Sequence, residues 1–139
     1  DRVGFHSLWQ GDHISFGPPI QDPFSQLSYA AALSDKLTFG TSVLLVPLRQ
    51  PAGIAKQAVT MDYLTQGRFI LGAGVGGEFP KEFEMMGVPV DQRGARMEES
   101  VEIMKKLWSG GKVSYQGKFF QFEDCDISPA PLTPGGPSI

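Results

Sequence analysis

Three short apolar runs, separated by stretches with helical periodicity, set the rhythm of this chain. Ser7 to Gln10 is the first, Phe39 to Val46 the second, and Arg68 to Val75 the third, uncharged after its opening residue. Runs this short and apolar are expected of strands buried on both faces of a parallel sheet. Their centres near Leu8, Phe39 and Ile70 recur every 31 residues or so, the repeat of consecutive βα units with right-handed crossovers. Asp22-Pro23 reads as an N-cap and first turn, after which Phe24, Leu27, Ala30, Ala31 and Leu33 form one helical face. Pro47 closes the second run, and Pro51 suits the first position of a helix. Ile54, Ala55, Ala58, Val59, Met61 and Leu64 carry that helix inward, and Gly67 stops it. The predicted fold class is α/β with a parallel sheet.

Beyond Glu78 the rhythm changes. Lys81 to Met86 is at most a short helical turn, broken by Gly87-Val88-Pro89. The longest predicted helix covers Asp91 to Ser109, with Met97, Val101, Met104, Leu107 and Trp108 on one face. Glu98, Glu99 and Glu102 come early in it and Lys105 and Lys106 late, an order that complements the helix dipole. Alternation around Gln116-Gly117 then predicts a β-hairpin over Val113 to Phe122, an excursion outside the main sheet. The last stretch, from Ser128 onward, is rich in Pro and Gly and reads as irregular chain.

Composition narrows the functional classes. The 139 residues carry a formal charge of −3 and no basic field, so nucleic acid and anionic membrane surfaces are not expected partners. No apolar run nears the roughly 20 residues that span a bilayer. The single cysteine, Cys125, forbids an internal disulfide and fits a reducing, cytoplasmic compartment; no His or Cys stands near it at metal-ligand spacing. The opening DRVGF has the look of a helix end, and the closing GGPSI of a strand beginning. A single partial domain over residues 1–139 of a longer protein is therefore expected.

In parallel α/β folds ligands sit at the carboxyl ends of the strands, so residues just after each apolar run are the candidates. The first outlet holds Asp12 and His13. His13 is either a proton donor or acceptor, since imidazole titrates near neutrality, or a loop histidine bonded to a backbone carbonyl. Asp12 is either a site residue or a turn-forming Asx. Arg49, after the second run, either faces an anion or is solvated or paired with a glutamate. His6 and Arg68 enter their strands from the opposite end and read as structural, with Arg68 expected to pair with Asp62. The run GAGVGG lacks the helix start and distant acid of a dinucleotide fingerprint. Its exposed backbone N–H groups can still hold a phosphate or lie against a flat ring.

Taken together, GFHSLWQGDH, the stretch from Leu37 to Glu78 and the stretch from Glu82 to Asp124 resemble the bacterial-luciferase-like superfamily of flavin- or deazaflavin-dependent oxidoreductases. The middle stretch is the most specific, with its TSV strand, R-x-P helix start, D-x-L-x-x-G-R turn and G-x-G-x-G strand in the family's order. The resemblance implies a (β/α)₈ TIM barrel, here only about strands 2 to 4 plus the hairpin. It implies FMN or coenzyme F-420 at the carboxyl face, over a non-prolyl cis peptide at Ser42-Val43. It assigns Asp12 and His13 to ring or substrate contact, with His13 as the catalytic proton-handling residue, and Val75, Gly76 and Gly77 to the loop near the cofactor phosphate. Members often have an acid or Trp directly after the glycine strand; Gly77 stands there in this chain, with Glu78 one later, so no acidic catalytic role passes to Glu78. The implied activity is hydride transfer or oxygen insertion on a small organic substrate. A non-catalytic flavin-binding or structural relative, or a piece that acts only within an assembly, is the other reading. The expected partners are that substrate and either a second copy of the chain or the rest of the barrel. With strands missing, the second and fourth strands would have bare edges and cofactor would be held weakly.

Overall fold

The computed structural model describes residues 3–139; the first two residues of the expected helix end lie outside this range, and Val3 sits in a turn. The order of elements is β1 (Ser7–Gln10), α1 (Pro23–Ala31), β2 (Thr38–Thr41), β3 (Leu44–Leu45), α2 (Pro51–Thr65), β4 (Phe69–Ile70), β5 (Ala73–Gly74), α3 (Pro80–Met85), α4 (Arg93–Trp108), β6 (Val113–Gln116) and β7 (Gln121–Cys125). β1, β2 and β4 lie side by side and parallel, with Leu8 opposite Phe39 and Phe39 opposite Phe69. β3 and β5 continue the same two paths as a second parallel pair, Leu44 opposite Ala73. The α/β class and the parallel order agree with the sequence reading.

The second apolar run is not one strand. It breaks between β2 and β3 at Ser42-Val43, whose peptide bond is cis, and ends in a 3₁₀ turn over Val46–Leu48 instead of extended chain. The backbone is tied down on both sides of the break, where Ser42 N–H donates to Gln10 O at 2.8 Å and Leu44 N–H to Gly72 O at 2.7 Å. The third run breaks in step. A Cβ on Gly72 would lie 1.9 Å from Thr41 O, and one on Gly74 2.2 Å from Val43 Cγ2. Only hydrogen fits at those two positions, so these glycines admit the neighbouring bulge.

Helices cover the sheet where the apolar periodicity placed them, with three shifts. Asp22 caps α1 by accepting from Ser25 N–H at 2.9 Å, but the helix ends at Ala31, so Leu33 falls beyond it and is exposed. On α2 the inner face includes Asp62 and Thr65, while Leu64 is exposed. Asp62 is buried because Thr133 donates to it from N–H and Oγ1, at 2.7 and 2.6 Å. Arg68 therefore does not pair with Asp62; it donates to Leu37 O and lies over the Phe39 ring. The inner face of α4 centres on Ile103, Met104, Leu107 and Trp108, with Met97 and Val101 at its margin.

β6 and β7 form the expected antiparallel hairpin as a separate sheet. Glu99 of α4 anchors its turn, accepting from the N–H of Lys118, Phe119 and Phe120. Tyr115 OH donates to Glu102 at 2.9 Å; burial, then that bond and the acidic neighbours, push its pKa up to about 12. At the other end Ser138 pairs in parallel with Ile70, and Leu71 N–H donates to Ser138 O at 2.8 Å. The outer edge of the fourth strand is thus partly covered, contrary to the expectation of a bare one. β1 has no strand partner on its other side among the described residues.

Gly72→Ala should destabilise the fold by about 3 kcal/mol, the upper end of an overpacking cost, because the clashing atom is backbone. Gly53→Ala on α2, where a Cβ meets nothing within 4 Å, should instead stabilise by about 0.5–1 kcal/mol through helix propensity. Urea midpoints of the two variants check both signs.

Candidate functional site

The strand outlets meet. Gly11, Asp12, His13 and Phe16 from the first, Ser42 and Val43 from the second, and Gly76, Glu78 and Phe79 from the third line one cleft of about 450 Å³. Gly11 lies close under the bulge, where a Cβ would come 3.6 Å from Ser42 O. Gly76 adopts φ 61° at the end of the third path, above Leu45 and Phe83. Val75 and Gly77 flank this lining without being part of it; the space beside Gly77 is filled by the Arg93 side chain.

Two buried carboxylates organise the first outlet. Asp12 accepts from Leu45 N–H at 2.9 Å and from both Nη atoms of Arg49, at 2.5 and 2.8 Å. This two-pronged pair fixes the outlet of β1 to that of β3, the geometry in which arginine holds a carboxylate best. Arg49 therefore pairs with an aspartate and not a glutamate, with its side chain partly exposed. Glu82, on α3, is 2% exposed. Its Oε1 accepts from the N–H of Ile14 and Ser15 at 2.6 and 2.9 Å, and its Oε2 stands 3.0 Å from His13 Nδ1. Burial pushes the Glu82 carboxyl up, but the hydrogen bonds from His13, Ser15 and Ile14, with the charge of His13, outweigh it and hold the pKa below the usual value.

The His13 ring is held on its faces as well as at its edge. It stacks on Phe16 with centroids 4.1 Å apart and planes within 8°, and Phe79 meets both rings edge-on. Its bond is to a carboxylate and not to a backbone carbonyl. Among the described residues no group of three His, Cys, Asp or Glu side chains is placed to hold a metal, and no helix is long and apolar enough to cross a membrane.

A sequence model described as luciferase-like monooxygenase matches residues 1–139. The chain belongs to this family. Among its luciferase-like relatives, the oxygenase component of the flavin-dependent trigonelline monooxygenase of Acinetobacter baylyi is 30% identical over all of this chain and 39% of its own length. The F-420-dependent glucose-6-phosphate dehydrogenase of Kineococcus radiotolerans is 31% identical over all of this chain and 45% of its own. The crystal structure of the monooxygenase RslO1 from Streptomyces bottropensis superposes with a TM-score of 0.89 at 27% identity, covering 99% of this chain and 42% of that one. The chain thus spans about two-fifths of the length of the relatives it matches.

Within this luciferase-like cleft, Asp12, His13, Ser42, Val43 and Gly76 of the residues singled out from sequence come together, and the cis peptide falls at Ser42-Val43 as the resemblance implied. Sequence reading missed Glu82, Phe16 and Phe79. Pro80 gave a signal, since a helix opening there puts Glu82 in its first turn, just past the third outlet. Lys81, Glu82 and Glu84 look alike in sequence, however, and only the packing of Phe83 beneath α3 decides which of them is buried.

The depressed Glu82 pKa has a definite sign in stability. Its ionised form contributes fully above the usual glutamate value of 4.5, and that contribution is lost as the pH falls through the lower folded value. The urea-midpoint difference between wild type and Glu82→Gln should shrink as the pH falls from the usual glutamate value of 4.5 toward about 3. A difference independent of pH over pH 7 to 3 would contradict it.

Proposed function

We propose that this chain forms about strands 2 to 4, with an inserted hairpin, of a (β/α)₈ barrel, and that its cleft holds the ring end of FMN or coenzyme F-420. The whole protein would then be an oxidoreductase acting on a small organic substrate. The observation that carries the reading is the convergence of three parallel-strand outlets on one cleft, floored by the cis Ser42-Val43 segment and walled by His13 on a buried carboxylate. A volume of about 450 Å³ lies inside the range of about 300–1,000 Å³ typical of small-molecule sites. The glycines at 72 and 74 let the Thr41–Leu44 segment lie close against its neighbour, and Ser42 and Val43 of that segment line the cleft. The residues present therefore fit the group.

The bound cofactor would supply hydride chemistry, or with reduced FMN and dioxygen, oxygen insertion. The protein's part is orientation, exclusion of water and proton handling. Ser42, Val43 and Gly76 would hold the ring end of the cofactor. Phe16 and Phe79 form an apolar wall. Asp12, engaged by Arg49, positions the outlet and leaves His13 as the group that exchanges protons with substrate. Val75 and Gly77 flank the route toward the cofactor phosphate, near the guanidinium of Arg93. The known relatives include both a flavin-dependent monooxygenase and an F-420-dependent dehydrogenase, so either cofactor class is compatible with this framework.

The absorption spectrum of the purified full-length protein distinguishes FMN from F-420. Against a panel of small alcohols with F-420, and of ketones and terpenes with reduced FMN, His13→Ala should lower turnover by about 100-fold or more, the usual scale of acid–base catalysis. Cofactor affinity by fluorescence titration should change far less. An unchanged rate removes the role given to His13, and tight cofactor binding with no turnover across both panels favours a non-catalytic relative.

A further inference from the structure

Glu82 makes more hydrogen bonds than holding a loop requires, and the way they divide between its two oxygens has a chemical consequence. Oε1 is taken by two main-chain donors, Ile14 N–H and Ser15 N–H, which can only donate. Oε2 faces His13 Nδ1 at 3.0 Å. With the carboxyl ionised, the form that these hydrogen bonds favour by holding its pKa below the usual value, Oε2 also accepts and the ring nitrogen facing it carries a hydrogen. We propose that Glu82 is a positioning residue that fixes His13 as its Nδ1–H tautomer and so leaves Nε2 as the acceptor the cleft presents to substrate.

The surroundings favour the same assignment. The side chain of His13 is 20% exposed and lines the cleft. Its Nε2 has no hydrogen-bond partner among the described residues. Stacking on Phe16 and the edge of Phe79 pack the ring in the plane that turns Nδ1 to Glu82. The other charged groups nearby do not compete for Nδ1. The oxygens of Asp12 are held by Arg49 and Leu45 N–H, and Glu78 is exposed at the cleft mouth.

This inference rests on the proposed function for its use, though not for its geometry. A substrate hydroxyl in the cleft gives its proton to Nε2; the O–H bond breaks with its electrons left on oxygen, and an Nε2–H bond forms. The imidazolium so produced faces the ionised Glu82, which offsets its charge without taking the proton. His13 thus serves as a base toward a hydroxylated substrate, and Glu82 sets that direction.

A glutamine at 82 separates the two halves of the role. It has one oxygen, and the pair of main-chain donors claims it, so the amide NH₂ turns toward Nδ1 and the ring proton moves to Nε2. Nitrogen-15 spectra of histidine-labelled protein at about pH 9, well above the usual imidazole pKa, read this directly without cofactor or turnover. The His13 signals are those lost in His13→Asn. Wild type should show a protonated Nδ1 and a pyridine-like Nε2, and Glu82→Gln the reverse. A wild-type ring protonated at Nε2 overturns the proposal even if the variant fails to fold, and so does a folded Glu82→Gln that keeps the wild-type pattern. Loss of turnover is not among these outcomes, so failure of the enzymatic reading and failure of the tautomer assignment remain distinguishable.

Discussion

Two stretches of backbone, Thr41–Leu44 and Gly72–Gly74, run closer together than side chains allow, and the rest of the molecule is arranged around that approach. Thr41 Oγ1 and Leu44 N–H both bond to Gly72 O, so the carbonyl of one glycine is held from both sides of the bulge. Without a hydrogen atom at 72 and at 74 the two paths would separate, and the second outlet would lose its register with the third. The interruption of both apolar runs at the same level is one event: the bulge in one chain segment is accommodated by the missing side chains of the other. The result is a bulged floor to the cleft at the carboxyl end of the sheet, where Ser42 and Val43 line it.

Above that floor, two buried carboxylates do similar structural jobs with opposite chemical outcomes. Asp12 and Glu82 each accept from backbone N–H and from one side-chain base, and each ties the first outlet to a different neighbour. The partner of Asp12 is a guanidinium, permanently charged, so that link is fixed at any ordinary pH. The partner of Glu82 is an imidazole, which meets one of its oxygens through Nδ1. The first pair positions the outlet, and the second holds the His13 ring in the cleft. Both pairs join residues far apart in sequence, His13 to Glu82 across 69 positions and Asp12 to Arg49 across 37. The site therefore exists only once three successive βα units have packed.

The hairpin is fixed to the body by its turn and by the inner face of its strands. Glu99 collects three N–H groups of the turn, Tyr115 reaches Glu102, and Arg96 lies over the Phe119 ring at 4.7 Å. All three anchoring residues lie on α4 within two turns of helix. The inner face of that helix, through Met104, Leu107 and Trp108, is packed in the main core, and Trp108 donates to Ala55 O on α2. The excursion thus takes its position from the same helix that closes the sheet, which makes it a rigid flank and not a loose appendage.

What the sequence determined by itself was whatever follows from local pattern. The short uncharged runs and their spacing set the parallel α/β order, Asp22 and Pro51 set two helix starts, and the alternation around Gln116-Gly117 set the hairpin. The family resemblance added the position of the cis peptide and pointed to His13. Tertiary structure decided the rest, because those choices depend on contacts between distant segments. The glycine run is spaced for a neighbouring bulge, which no local rule describes. Asp62 is buried because Thr133 meets it, which releases Arg68 to Leu37 and Phe39. Most of all, the two glutamates at the start of α3, Glu82 and Glu84, look alike in sequence, and in the fold Glu82 is buried beside Phe83 against His13 while Glu84 is exposed. Hydrophobic periodicity reports which side of an element faces the core; it carries no information on which polar group will be taken into the core to meet a partner seventy or so residues away, and that pairing sets the His13 ring in the cleft.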